Sequence, residues 1–154
     1  MALLNYTTKE LDQMARLMRA EAVGEGELGM LMVGNVIVNR AISNCLTFKN
    51  INTIEQVIFQ NPGGFSGINS DLFYSSATTL EKELARRNLE GETYYPATHA
   101  LWFYSPSGII VVFAYGMIRN YQADIKSIVF INHTKEFVQN YINIQTNETN
   151  TKFT

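Results

Sequence analysis

The sequence predicts a mainly α-helical domain with a short β element, an α+β fold, on the basis of three observations. Long segments before residue 90 place apolar residues at helical spacing, and two of the predicted helices start at a capping box. Past residue 100, short aromatic and apolar runs next to Gly and Pro are typical of strands. The chain of 154 residues is 46% hydrophobic and 17% charged, which suits one domain with its own core.

The first predicted helix begins near Thr8 and ends at Glu21. Thr7 and Glu10 have the spacing of a capping box, in which each side chain accepts a hydrogen bond from the other residue's backbone. Gly24 and Gly26 then end the helix, since each glycine costs about 1 kcal/mol relative to alanine inside one. Its apolar stripe comprises Leu11, Met14, Ala15, Met18 and Ala22.

The second predicted helix, residues 28–43, is apolar on nearly every side, which is typical of the central, buried helix of a domain. Asn39 and Arg40 are polar exceptions near its end. Two interpretations stay open for this pair: they orient a neighbouring carboxylate, or they cap and solvate the helix end.

The remaining elements are shorter. A capping box at Thr53 predicts a short helix through Phe59, followed by an Asn-Pro-Gly-Gly turn. Helical spacing predicts a third long helix over residues 75–89. Residues 101–104 are predicted to form a strand or an extended segment that lines a cleft, and residues 125–131 resemble a strand.

Composition argues against several classes of function. The net charge of −2 provides no basic face for nucleic acid. One cysteine, Cys45, and two histidines rule out an internal disulfide and leave almost no ligands for a metal. The longest apolar run, residues 30–38, is too short to span a membrane, and the N-terminus lacks the pattern of a secretory signal.

Glu21 is the candidate catalytic residue. It lies where one apolar helix ends and another begins, so its carboxyl group can be half buried and still face a cleft, as a general acid requires. Apolar neighbours such as Met18 would raise its pKa by desolvation. The alternative is a helix-terminal carboxylate that is merely solvated.

Three stretches resemble the spore cortex-lytic cell wall hydrolases of the SleB/CwlJ type, and their CwlJ branch in particular. The stretches are ARLMRAEAVGEGELGMLMVGNVIVNR (residues 15–40), TIEQVIFQNPGGF (53–65) and LARRNLEGETYYPATHALWFYSPSG (84–108). The resemblance extends in order over about residues 12–108. It implies a small lysozyme-like or lytic-transglycosylase-like domain with a groove for a glycan strand.

The resemblance also implies specific roles. The family's general acid/base falls on Glu21, and a second family glutamate falls on Glu25 as a support. The substrate would be the peptidoglycan glycan strand of the spore cortex, cleaved during germination without a cofactor by hydrolysis or by lytic transglycosylation. The CwlJ branch implies synthesis in the mother-cell cytoplasm, a place in the spore coat or at the coat–cortex boundary, and a coat protein partner. A second hypothesis is a catalytically inactive coat component that retains the fold.

Three aromatic residues are candidates for binding sugar rings. Phe65 follows the Asn-Pro-Gly-Gly turn, and Trp102 and Tyr104 belong to the aromatic run at 101–104. For each of them, packing in the core is the competing interpretation.

The C-terminal part departs from the family. Instead of a run resembling RYKxHCFYQP, the chain continues with the sequence IIVVFAYGMIRNYQADIKSIVFINHTK from residue 109. Suitable synonymous codons, read in a shifted frame, restore the family run, so we hypothesise a one-base shift near residues 108–111. We therefore predict a hydrolase domain over residues 1–108 and a divergent tail over 109–154.

Overall fold

The computed structural model describes residues 1–22, 24–43, 48–61, 64–95 and 97–103, together with the backbone at 104, 112–114, 117–119 and 129–131. Within these ranges the fold is mainly helical with short strands, which confirms the predicted fold class.

Helices α1 (Thr8–Glu21) and α2 (Gly26–Ile42) are joined by a tight connection. The capping box at the start of α1 is present in both directions, with Thr7 accepting from the Glu10 amide and Glu10 accepting from the Thr7 amide. Gly24 and Gly26 have φ values of 83° and 73°, a left-handed conformation that favours glycine. Helix α1 thus ends at Glu21, and α2 begins only five positions later.

Three further helices and a 3₁₀ turn pack around this pair. They are α3 (Ile54–Ile58), the 3₁₀ turn (Ser66–Asn69), α4 (Asp71–Tyr74) and α5 (Thr79–Leu89). The predicted start of α5 at residue 75 is wrong. A capping box of Thr78 and Glu81 begins that helix, while Ser70 caps the separate helix α4.

Helix α2 is the central helix, as its composition predicts. Eleven of its 17 residues are buried, and it packs against α1, α3 and α5. Gly34 permits the close approach of α5, because a Cβ at that position would lie 2.0 Å from Oδ1 of Asn88. Asn88 is buried and donates from Nδ2 to the carbonyl oxygen of Leu31 at 2.9 Å.

The strands form two antiparallel pairs. Strand β1 (Trp102–Tyr104) pairs with β4 (Val129–Ile131), and β2 (Val112–Ala114) pairs with β3 (Met117–Arg119). Of the two alternatives predicted for residues 101–104, a strand or an extended segment, the structure has a strand at 102–104. The prediction for residues 125–131 is confirmed at 129–131, and residues 125–128 lie outside the described part of the chain.

In the described ranges, every helix is too short or too polar to cross a bilayer.

Candidate active site

The candidate site is built where the end of α1 meets the 3₁₀ turn. Glu21 is the last residue of α1 and is half-buried. Its Oε1 accepts a 2.5 Å hydrogen bond from the backbone N–H of Gly67, and the side chain of Ser66 lies close enough to lower the pKa of the carboxyl group. Ser66 is exposed and Gly67 is buried, so the site lies at the border between the core and the solvent.

A glycine is required at position 67 by this close approach. A Cβ there would lie 2.8 Å from Oε1 of Glu21 and 3.1 Å from its Cγ and Cδ. Any larger residue would therefore displace the carboxyl group from the backbone donor.

The pKa of Glu21 is raised above its ordinary value. Desolvation by burial is the largest cause, and it outweighs the Gly67 hydrogen bond, the positive charge of Arg40 and the Ser66 hydrogen bond, which all lower the pKa. The carboxyl group therefore retains its proton to a higher pH than a solvated glutamate does, as a general acid needs to.

Arg40 lies behind the site as a buried cation with 4% of its surface exposed. Burial lowers its pKa to about 10, an effect that the Glu21 carboxylate opposes, so it stays charged at neutral pH. Its Nε donates to the carbonyl oxygen of Leu101 at 2.7 Å. The positive charge of Arg40 lowers the pKa of Glu21, and its predicted role in orienting that carboxylate stays a prediction.

Charged groups on the helices around α1 form ion pairs with charged residues of α1 itself. On α3, Glu55 pairs with Lys9, whose Nζ lies 2.6 Å from Oε1 of Glu55. On α5, Glu81 pairs with Arg19 at 3.0 Å. Asp71 of α4 is exposed. Among the described charged groups, Arg40 is the one whose charge lowers the pKa of Glu21.

The contacts described for the two other predicted supports, Glu25 and Asn39, are with other parts of the chain. Glu25 is half-buried at the N-terminal end of α2, where its Cβ packs over Gly29. Asn39 directs its Nδ2 at the carbonyl oxygens of residues 97, 98 and 100, at 2.9 to 3.2 Å. Asn39 thus ties the segment before β1 to α2, a role that neither sequence interpretation included.

The three predicted sugar-binding aromatics differ in their surroundings. Phe65 is buried, with 6% of its surface exposed, and contacts Arg40 and Phe103. Trp102 is half-buried and packs on Phe48, with ring centroids 5.4 Å apart. For Tyr104 the described part of the chain includes only the backbone. Of the two rings that are described, Trp102 thus retains more exposed surface for a sugar.

Ser66 and Gly67 are the site residues that the sequence did not identify. They stand 45 and 46 positions after Glu21, and their pairing depends on how α4 and the 3₁₀ turn fold back on α1. The small residues Ser66 and Gly67 after Phe65 indicate that another group can come close to the backbone there, but they do not indicate which group.

In the described residues, His, Cys, Asp and Glu side chains form no group of three or more that could hold a metal ion. Cys45 lies outside the described part of the chain.

The overall fold matches solved structures of one class of enzyme. The catalytic domain of the Bacillus cereus SleB protein superimposes with a TM-score of 0.62 at 23% sequence identity, covering 82% of this chain and 92% of that chain. The catalytic domain of a germination-specific lytic transglycosylase, SleB from Bacillus anthracis, gives 0.59 at 21% identity, covering 82% and 97%. These similarities show that the chain has the fold of the SleB catalytic domains, in agreement with the predicted fold class.

Sequence comparison then assigns the family. Residues 24–131 match the cell wall hydrolase family, and the chain belongs to it. The cell wall hydrolase CwlJ of Halalkalibacterium halodurans is 51% identical over 108 residues, which is 70% of this chain and 76% of that protein. CwlJ of Bacillus subtilis is 42% identical over 143 residues, which is 93% and 99%. The prediction of a peptidoglycan-cleaving enzyme is confirmed.

The limits of the family match differ from those of the predicted domain. The match begins at residue 24, three positions after Glu21, and runs past residue 108 to residue 131. The predicted boundary between residues 108 and 109, and the frame shift behind it, stay predictions.

Proposed function

We propose that Glu21 is the general acid/base with which this enzyme cleaves glycosidic bonds of spore cortex peptidoglycan during germination. The observation that supports the proposal is the arrangement around its carboxyl group. Burial raises the pKa of the group, while the backbone N–H of Gly67 holds its Oε1 and leaves the side chain half-buried. A positioned carboxylic acid with a raised pKa is the requirement for protonating a leaving sugar oxygen.

The Gly67 hydrogen bond indicates which oxygen carries the proton. A backbone N–H can only donate, and it donates to Oε1. An oxygen that already carries a proton is a weaker acceptor, so this contact favours the acid whose proton resides on Oε2. Oε2 is then the atom that delivers the proton to the glycosidic oxygen as the bond between that oxygen and the anomeric carbon breaks.

Proton transfer leaves a negative charge on Glu21, and the same surroundings stabilise it. The Gly67 N–H, the Ser66 hydroxyl and the charge of Arg40 all favour the ionised form. The carboxylate then accepts a proton from the nucleophile that bonds to the anomeric carbon. With water as the nucleophile the product has a reducing end, and with the C6 hydroxyl of the same sugar it has a 1,6-anhydro end.

The names of the relatives support the substrate and the place of action. Two are called cell wall hydrolase CwlJ, and a structural neighbour is described as a germination-specific lytic transglycosylase. Together with the resemblance to the CwlJ branch, they support the spore coat or the coat–cortex boundary as the location, with a coat protein as partner. Fractionation of spores with an antibody to this protein tests that placement.

The experiment that tests the function is muropeptide analysis of purified cortex treated with this protein or with Glu21→Gln. Glutamine keeps the size of the side chain and can still accept from Gly67, but it has no acidic proton. We expect cleavage by the natural chain and none by the variant, with the product ends identifying the nucleophile. Equal cleavage by both proteins would refute the role of Glu21, and no cleavage by the natural chain would favour the inactive coat component.

A further inference from the structure

We infer that Arg40 and Phe65 form a stacked pair that positions the Gly67 hydrogen-bond donor on Glu21, so that Phe65 is a positioning residue of the active site. This inference rests on the proposed role of Glu21 as the acid. It assigns to Phe65 a function other than contact with sugar.

The stack is buried and held from several sides. The guanidinium carbon of Arg40 lies 4.5 Å from the ring centroid of Phe65 and 5.2 Å from that of Phe48. Phe48 is 1% exposed, and Phe103 contacts the Phe65 ring with centroids 5.8 Å apart. A cation over an aromatic face is attracted more strongly when both are removed from water.

Arg40 is itself fixed in orientation. Its Nε bond to the Leu101 carbonyl oxygen sets the plane of the guanidinium group, and α2 holds its backbone. The flat, delocalised cation can then lie against a ring while still donating within its plane. Lysine has neither the flat face nor the in-plane Nε donor.

The position of Phe65 in the chain connects this stack to the acid. Phe65 immediately precedes Ser66 and Gly67 and has the extended conformation that begins the 3₁₀ turn, with φ −92° and ψ 136°. Fixing its ring therefore fixes the backbone from which the next two residues reach Glu21. The tolerance is small, since Glu21 lies within 2.8 Å of where a Gly67 Cβ would be.

Arg40 consequently acts on Glu21 in two ways. Its charge favours the carboxylate directly, and its contact with Phe65 holds the turn that donates to that carboxylate. Substitution of the ring removes the second effect and leaves the charge in place.

The test compares Phe65→Leu with a matched control, Phe73→Leu. Phe73 is also buried, at 2% exposure, and has Arg16 over its ring at 5.1 Å, but its ring packs on Phe59 and its cation is Arg16 rather than Arg40. Both variants are compared per folded molecule on soluble cortex fragments, with urea unfolding to measure stability.

We expect both variants to lose stability to a similar extent and only Phe65→Leu to lose catalysis. Its kcat should fall by about 10²-fold with a small change in KM, the scale for a displaced catalytic group. The alkaline limb of its pH profile should move to higher pH, because weakened donors no longer lower the pKa of Glu21. A purely structural role would not move that limb.

Arg40→Lys provides a second variant should Phe65→Leu fail to fold. It retains a charge and loses the stacked face, so we expect the same fall in kcat and the same direction of the pH shift. Full kcat with an unmoved limb in either variant would overturn the inference. Glu21→Gln, assayed in parallel, separates failure of the proposed acid from failure of the positioning role. If Glu21→Gln stays active, Glu21 is not the acid. If Glu21→Gln is inactive while the other variants keep full activity, only the positioning role is wrong.

Discussion

Replacing Gly67 with alanine should separate catalysis from stability in this enzyme. The new Cβ would lie 2.8 Å from Oε1 of Glu21, whereas ordinary van der Waals contact begins at 3.4 Å. The carboxyl oxygen must therefore move by about 0.6 Å, the difference between those two distances. Since Cγ and Cδ of Glu21 are crowded as well, at 3.1 Å, the whole carboxyl group has to swing away from its backbone donor.

The cost in stability should be small. The atom that must move is the end of a flexible side chain, and an off-rotamer position costs about 0.5–1.5 kcal/mol. Alanine also restricts the unfolded chain, which stabilises by roughly 0.4–1 kcal/mol where the backbone is compatible. We therefore expect the free energy of unfolding to change by less than about 1 kcal/mol and the activity to fall by about 10²-fold.

The assay is release of soluble fragments from purified cortex, with urea unfolding of the same preparations. Gly34→Ala is the matched control, because its Cβ would meet Asn88 Oδ1 at 2.0 Å in a buried contact that cannot swing away. That variant should lose at least about 1–3 kcal/mol of stability while its folded molecules stay active. Full activity of Gly67→Ala would refute the conclusion that the 3₁₀ turn positions Glu21.

Two further predictions follow from the same contacts. Burial raises the pKa of Glu21 in the folded state, so ionisation of this group destabilises the fold as the pH rises above the unfolded-state pKa. At pH 7, Glu21→Gln should therefore unfold at a higher urea concentration than the natural chain. The difference should disappear at low pH, where Glu21 is protonated in both states. Equal urea midpoints at both pH values would contradict the raised pKa. Asn39→Ala removes the donor to three carbonyl oxygens before β1 and should cost about 1–3 kcal/mol in urea unfolding, with unchanged pH dependence of activity. A shifted alkaline limb in that variant would instead place Asn39 in the acid site.

Helix positions were largely predictable because they depend on local chemistry. The capping box at Thr7, the two glycines after Glu21 and the apolar surface of α2 act within a few residues of one another. The start of α5 was missed because helical spacing continues upstream into residues 75–78, whereas the capping box at Thr78 begins the helix. The position of Glu21 between two apolar helices made it a candidate, and the resemblance to a known family supplied the expected chemistry.

What the sequence determined by itself is the helical framework, the family and the carboxyl group at the junction of α1 and α2. Only the tertiary structure decided what surrounds that carboxyl group. Gly67 and Ser66 approach Glu21 from more than 40 residues away, and Phe65 packs inside against Arg40. Local sequence patterns record the preferences of nearby residues, but the pKa of a buried acid depends on desolvation and on donors that packing alone brings together.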